Sequence, residues 1–325
     1  MKINFIVEDF SVFKYIGCAT AARAICRNMP KDADLDLSWN SAARSVDIAH
    51  FHTFGPLALG YRTYTKGVKI LTAHSTPHTN LGNIGLSGFI NSLYPPIYRG
   101  FDHLVTVSEP SDREVRAMLP GMETTMIPNG VDRRVFQRYE DKRRAFRAAL
   151  GADEDETVVL TLGQQTPRKG IYDFLEIAAR TPDLIWVWVG GFPYGRLSKD
   201  FSRIEQEKRK ASENVVFTGF VPDVTEAYSG ADLFFFPSKA ETFGLVILEA
   251  LASGLPVVAR GIPELREIFG DAVAFFESPD DAQAMVQSKD KLRLSGDKAR
   301  QFTEKFDIRL IAMAHAKLYR RLAEA

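Results

Sequence analysis

Two carboxylates set eight positions apart, Glu241 and Glu249, frame the stretch SKAETFGLVILEALASGLP at residues 238–256. Between them lie the turn Phe243-Gly244-Leu245 and the start of an apolar helix running to Gly254 and Pro256. Unpaired N–H groups at a helix start, added to its dipole, form a ready anion site. The stretch therefore reads as a helix N-terminus built to hold a diphosphate, with a glutamate at each end of the bound molecule. Glu249 falls among apolar residues destined for burial, where a carboxylate needs a hydrogen-bonding partner such as a ribose diol. The plainer reading makes Glu241 a helix cap and leaves Glu249 on a solvated face.

A second group lies upstream, in LTLGQQTPRKG at 160–170. An apolar strand ends at Gly163, a polar loop follows, and Arg168-Lys169-Gly170 opens the next helix. Cations at that handover suit an anionic ligand, although a solvated turn would look the same in isolation. It is not a P-loop, because GxxxxGK[ST] is absent. A third group is the histidines His50 and His52 in IAHFHTF and His74 in LTAHSTPHTN, at the ends of two neighbouring strands. Their placement turns His74, and less strongly His52, toward a cleft, and His50 toward the core.

The elements that must position these residues alternate from end to end. Strand patterns at 3–8, 34–39, 46–52, 68–75, 103–109 and 124–129 are interleaved with helices at 18–29, 55–65, 86–99 and 109–118. A second series has strands at 157–163, 184–191, 215–220, 231–238, 256–260 and 272–276, a helix from about 170, and a final amphipathic helix at 307–324. Runs such as LTLG, WVWVGG and LFFFPS are apolar throughout, as strands covered on both faces must be. The expected architecture is α/β, two doubly wound Rossmann-like domains facing across a cleft. The first spans 1–135 and the second 157–306. Residues 136–156, within the basic and then acidic run RRVFQRYEDKRRAFRAALGADEDE, form a solvated linker, and 307–325 is a helix packing back on the first domain.

At 325 residues and 45% apolar the chain supports two cores. With 41 basic and 41 acidic residues, its net charge gives no reason to expect a nucleic-acid partner. Cys18 and Cys26 have neither CxxC nor zinc-ligand spacing. Asp34-Leu35-Asp36 imitates a metal-binding DxD, but early in a strand of the first domain. No apolar run approaches the roughly 18–20 residues needed to span a bilayer, and the N-terminus enters a strand directly. The expectation is a cytoplasmic protein, attached at most to the inner face of the cell membrane.

The segments IPNGVD, RKG, GF-VP, SKAETFGLVILEALASGLPVVA and GIPE, in that order over almost the whole chain, resemble the retaining glycosyltransferases of family 4, which have the GT-B fold. The resemblance implies a metal-independent hexosyltransferase, with no cofactor beyond a nucleoside-diphosphate sugar donor. A UDP-sugar such as UDP-glucose is the first expectation and GDP-mannose the second. It implies that Lys169, with Arg168, neutralises the diphosphate, and that Glu249 binds the ribose. Val221 lines the base, Glu241 meets the sugar, and Phe243, Gly244 and Leu245 present backbone to sugar and phosphates. His74 lies near the donor sugar, and Gly17 near diphosphate and acceptor. One position departs from the family pattern: Gln164 follows Gly163, where the family has an arginine.

Residues 81–101, LGNIGLSGFINSLYPPIYRGF, with the preceding STPHTN, resemble the acceptor side of the diacylglycerol-glycoside-forming branch. The expected acceptor is a glycolipid, or another lipid-linked or cell-surface glycan. Phe89, Leu93, Ile97 and Tyr98 would face a bilayer or pack on the sheet, and the basic run from Arg133 to Arg147 would meet anionic lipid or solvent. The alternative on the same fold is a sugar-nucleotide 2-epimerase, which needs no acceptor. A nicotinamide dehydrogenase is disfavoured, since no GxGxxG follows the first strand.

Overall fold

The structure is a computed structural model and describes residues 1–9, 17–31, 34–80, 87–192, 195–288 and 298–324. The chain divides into two compact units. Met1–Leu81, Leu86–Asp132 and Phe306–Ala325 form the first, and Arg133–Lys305 the second.

The first unit is built on a parallel sheet in the order β2-β1-β3-β4-β5-β6. Its strands are β1 (Lys2–Ile6), β2 (Asp36–Trp39), β3 (Ser45–Phe51), β4 (Lys66–Ala73), β5 (His103–Thr106) and β6 (Thr124–Met126). Alternate residues of these strands enter opposite cores, as a pleat of period two requires. Phe5, Ile48, Ile70 and Val105 meet Ile25 of the Gly17–Arg27 helix and Ile308, Ile311 and Tyr319 of the Ile308–Ala323 helix. Ile6, Phe51, Leu71 and Leu104 meet Ala58, Tyr94 and Tyr98 on the other side. The last helix thus belongs to the first unit, and its entry is stitched by Val131 N–H to Phe306 O (2.9 Å) and Ile308 N–H to Val131 O (3.0 Å).

The second unit has the order β12-β11-β10-β7-β8-β9. Its strands are β7 (Thr157–Leu162), β8 (Leu184–Val189), β9 (Val215–Gly219), β10 (Leu233–Phe236), β11 (Val257–Arg260) and β12 (Ala274–Phe276). Trp186 and Trp188 project from β8 into a core with Phe174 and Phe235. Their indole N–H groups are satisfied by Thr181 Oγ1 (3.0 Å) and Gly163 O (2.9 Å), which makes two buried tryptophans tolerable.

Two expectations are corrected. Residues 136–156 are not a solvated linker: Glu140–Leu150 is a helix of the second unit. Arg143 and Arg147, one turn apart, are buried and share Asp232 at 3.1 and 2.9 Å. Lys142 pairs with Asp223 at 2.7 Å. Three cations of the basic run are therefore spent inside the unit, because the i, i+4 spacing aims both arginines at the start of β10. Tyr98 is likewise unavailable to a bilayer. Within the Ser87–Tyr98 helix, Tyr94 and Tyr98 are buried and bond Ser75 Oγ (3.0 Å) and Ser75 O (2.6 Å). Ile97 packs on the same core, while Leu93 stays exposed. The side chain of Phe89 lies outside the described residues.

Candidate active site

In the second unit the strand order reverses direction between β7 and β10, since β8 and β9 lie to one side and β11 and β12 to the other. Loops leaving the C-terminal ends of two such strands diverge and leave a crevice for a ligand. The loop after β7 carries Arg168 and Lys169, and the loop after β10 carries Ser238 and Glu241. They touch at Gly170, whose φ of +80° suits glycine and where an added Cβ would lie 2.3 Å from Pro237 O. Lys239 N–H also donates to Arg168 O at 2.8 Å.

Glu241 is the centre of this junction. Its Oε1 lies 2.5 Å from Lys169 Nζ and accepts the Ser238 hydroxyl at 2.5 Å. Arg168 Nη1 donates to Ala240 O at 2.7 Å and stands 3.6 Å from the same carboxylate oxygen. Burial alone would raise the Glu241 pKa, but Lys169 and Arg168 overcome it and hold the group below the usual carboxylate range. Burial also lowers the Lys169 pKa, an effect the Glu241 charge opposes. The result is a buried carboxylate kept ionised by cations that a phosphate could also claim.

The Leu245–Ala252 helix begins four residues beyond Glu241. Gly244 occupies its cap position at φ +87°, a conformation glycine adopts without strain, and offers no side-chain oxygen to the first turn. Phe243 is buried against Phe269. Within the helix Glu249 is buried and accepts the Tyr228 hydroxyl at 2.8 Å. Burial pushes its carboxyl up to about 7, and the Tyr228 hydrogen bond pulls partly against that shift. The solvated alternative for Glu249 is excluded. Val221 is half-buried in the loop after β9. Gln164 is half-buried, and the neighbouring Gln165 is the anchored amide, with Nε2 on Gly190 O (2.8 Å) and Oε1 on Lys208 Nζ (3.0 Å).

In the first unit the strand ends gather the three histidines as their spacing suggested. His74, half-buried just beyond β4, lies 2.9 Å from His52 through Nε2 and Nδ1. His50 is buried behind them, with Tyr319 O–H at 2.5 Å and Thr72 Oγ1 at 2.7 Å. Burial lowers the His74 pKa to about 4 and moves His50 and His52 well below the usual range. Gly17 is exposed at the start of its helix, and Tyr15 and Ile16 before it lie outside the described residues. Asp36, of the Asp34-Leu35-Asp36 pair, is exposed on the edge strand β2.

Two partners escaped the sequence reading. Ser238 lay within the quoted stretch but carried no spacing signal of its own. Tyr228 sits 21 positions from Glu249 and is brought to it only by the fold.

The chain resembles known proteins along most of its length. Residues 142–306 match the family described as Glycosyl transferases group 1, and residues 24–135 the family described as Glycosyltransferase Family 4. The chain is 30% identical over 273 residues to alpha-galactosylglucosyldiacylglycerol synthase of Streptococcus pneumoniae, covering 81% of this chain and 73% of that one. It is 36% identical over 141 residues to the processive diacylglycerol alpha-glucosyltransferase of Acholeplasma laidlawii, 42% of this chain and 41% of the relative. HepE of Anabaena, solved with UDP and glucose, superposes with a TM-score of 0.80 at 18% identity over 99% of this chain and all of that one. The two six-stranded parallel sheets are those of the GT-B fold.

Proposed function

The chain belongs to the group 1 glycosyl transferases, with a family 4 first half, and from that premise we propose that it moves a hexose from a UDP-sugar to a hydroxyl of a membrane glycolipid, with retention of anomeric configuration. The observation that carries the reading is the Lys169–Glu241–Ser238 junction at the switch point of the second sheet, beside a helix N-terminus. The diphosphate of the donor would claim Lys169 and the N–H groups of the first helical turn, so that leaving-group charge is stabilised by groups already in place and no metal is required. Losing its cation, Glu241 becomes an acceptor for sugar hydroxyls. Glu249, at the far end of the turn, accepts the ribose diol, and Val221 lines the base. Arg168, committed to Ala240 O, steadies the loop and adds its charge at longer range, which partly offsets the neutral Gln164.

The relatives named for diacylglycerol glycosides support a lipid acceptor, and UDP bound to HepE supports the uridine base. Among the described residues no helix is long and apolar enough to cross a membrane. The test is a thermal-shift panel of UDP- and GDP-sugars, followed by transfer of labelled hexose to diacylglycerol and monoglycosyldiacylglycerol in anionic vesicles. A donor at about 100 times its dissociation constant adds roughly 2.7 kcal/mol to stability. An α-linked glycolipid that forms only with acceptor present is expected. A β-linked product, or a free epimer released without acceptor, would replace this reading.

A further inference from the structure

In the second unit, backbone hydrogen bonds tie together the loops that leave β7, β8 and β9. Gly163 N–H donates to Val189 O (2.9 Å), Gln165 N–H to Gly191 O (3.1 Å) and Gly190 N–H to Gly219 O (2.8 Å). The approach is close, since a Cβ added at Gly190 would lie 2.1 Å from Gly163 O. The bridge runs from the loop carrying Arg168 and Lys169, across the end of β8, to the loop carrying Val221. One side chain reinforces it. Gln165 is 2% exposed, and its Nε2 donates to Gly190 O at 2.8 Å.

A primary amide carries donors on one side and an acceptor on the other. Turned over, the Gln165 amide would set its oxygen against Gly190 O and break the reinforcement. Lys208 Nζ stands 3.0 Å from Gln165 Oε1. An ammonium has donors only, so it admits one orientation: oxygen toward the lysine, nitrogen toward Gly190 O. Lys208 lies in the last turn of the Phe201–Arg209 helix and is itself held. Glu205 Oε1 accepts from its Nζ at 2.6 Å, and the rings of Phe192 and Phe217 lie 5.5 and 4.9 Å from it. We propose that Lys208 is a positioning residue: by orienting the Gln165 amide it locks the loop after β7 to the end of β8, and so sets the spacing between the groups that take the diphosphate and those that line the base. This rests on the donor lying along that edge, as proposed above, but the strut itself does not.

The experiment compares wild type with Lys208→Met, Lys208→Arg, Gln165→Met and the double variant Lys208→Met/Gln165→Met. Calorimetric titration with UDP and turnover with UDP-glucose are the readouts. UDP affinity should fall about tenfold in Lys208→Met, the loss of one charge-assisted hydrogen bond, and return to within about threefold of wild type in Lys208→Arg, whose head also only donates. Turnover at saturating donor should stay within about threefold throughout, because the strut sets where the donor binds and touches no reacting atom. The double variant should lose no more affinity than Gln165→Met alone, since Lys208 acts only through the amide. In NMR of glutamine-labelled protein the side-chain amide protons of Gln165 should exchange slowly with solvent in wild type and faster in Lys208→Met. Additive losses in the double variant, unchanged UDP affinity in Lys208→Met, or a loss confined to saturated turnover would overturn the proposal. If no nucleotide binds even the wild type, the proposed function fails, and the strut stands or falls on the amide exchange alone.

Discussion

Lys169 Nζ and Glu241 Oε1 lie 2.5 Å apart although 72 positions separate them in the chain. The pair forms where two loops leave adjacent strands of the second sheet on opposite sides of its order reversal. It links the stability of that junction to its chemistry, because the cation that neutralises Glu241 is also the cation offered to a diphosphate.

Lys169→Met should therefore do two things. It leaves a buried carboxylate with the Ser238 hydroxyl and the more distant Arg168 cation at 3.6 Å, costing roughly 3–5 kcal/mol of stability. It also removes a charge-assisted contact to the diphosphate, weakening UDP-sugar binding by about 10–100-fold. Adding Glu241→Gln should restore most of the stability and none of the turnover. Denaturant unfolding and calorimetric titration of the single and double variants separate the two effects.

Glu249 should make donor binding pH-dependent. Its pKa in the folded protein, about 7, lies above the ordinary 4.5, so its contribution to folding is present below about 4.5 and is lost as the pH rises through about 7. Ligand affinity runs the other way. Two ribose hydroxyls need an ionised acceptor, so UDP affinity should climb between about pH 6 and 8. Glu249→Gln should flatten both slopes. Isothermal titration and thermal melts across that range are the check, and a wild-type affinity independent of pH would remove Glu249 from the ribose.

Tyr228→Phe should move the same midpoint upward. The hydroxyl donates to the Glu249 carboxylate, and removing it leaves burial unopposed. The cost in stability should be about 1 kcal/mol, and UDP affinity at pH 7 should fall while affinity at pH 9 is nearly restored. Titration at those two values distinguishes this from simple damage to the helix.

Asp232→Ala should destabilise the second unit through its arginines. It takes the shared carboxylate from Arg143 and Arg147, both buried, and leaves them the carbonyls of Gly230, Asp153 and Glu156 and the exposed carboxylate of Glu154. The expected loss is about 3–5 kcal/mol, with UDP affinity unchanged in the fraction that remains folded. Chemical denaturation followed by tryptophan fluorescence suits this test, since Trp186 and Trp188 report that core.

Much of this was legible before any coordinates. Runs such as Val158–Leu160 and Leu233–Phe236, apolar at every position, could only be strands covered on both faces, and the handover residues between strands and helices marked the switch-point loops. What could not be read were facts that depend on which elements become neighbours. The sequence offered Arg143 and Arg147 as part of a charged, soluble run, because nothing local announces that Asp232 will lie beneath them. Tyr98 looked available to a membrane because an aromatic at helical spacing has no sign telling inside from outside. The pairing of Tyr228 with Glu249 and of Tyr319 with His50 likewise arises from sheet order, which local periodicity does not encode.

The return of residues 306–324 to the first unit has a consequence for biosynthesis. Ile308, Ile311, Leu318 and Tyr319 are buried there, and at about 1.5–3 kcal/mol for each buried side chain they contribute about as much as the whole stability of a typical domain. A ribosome makes Met1 first, yet the unit containing Met1 cannot close until Tyr319 has emerged. The second unit, continuous from Arg133 to Lys305, should mature independently of it. A chain truncated at Lys305 and released should accordingly show protease-resistant fragments from the later half of the sequence, while the earlier half is still open to cleavage.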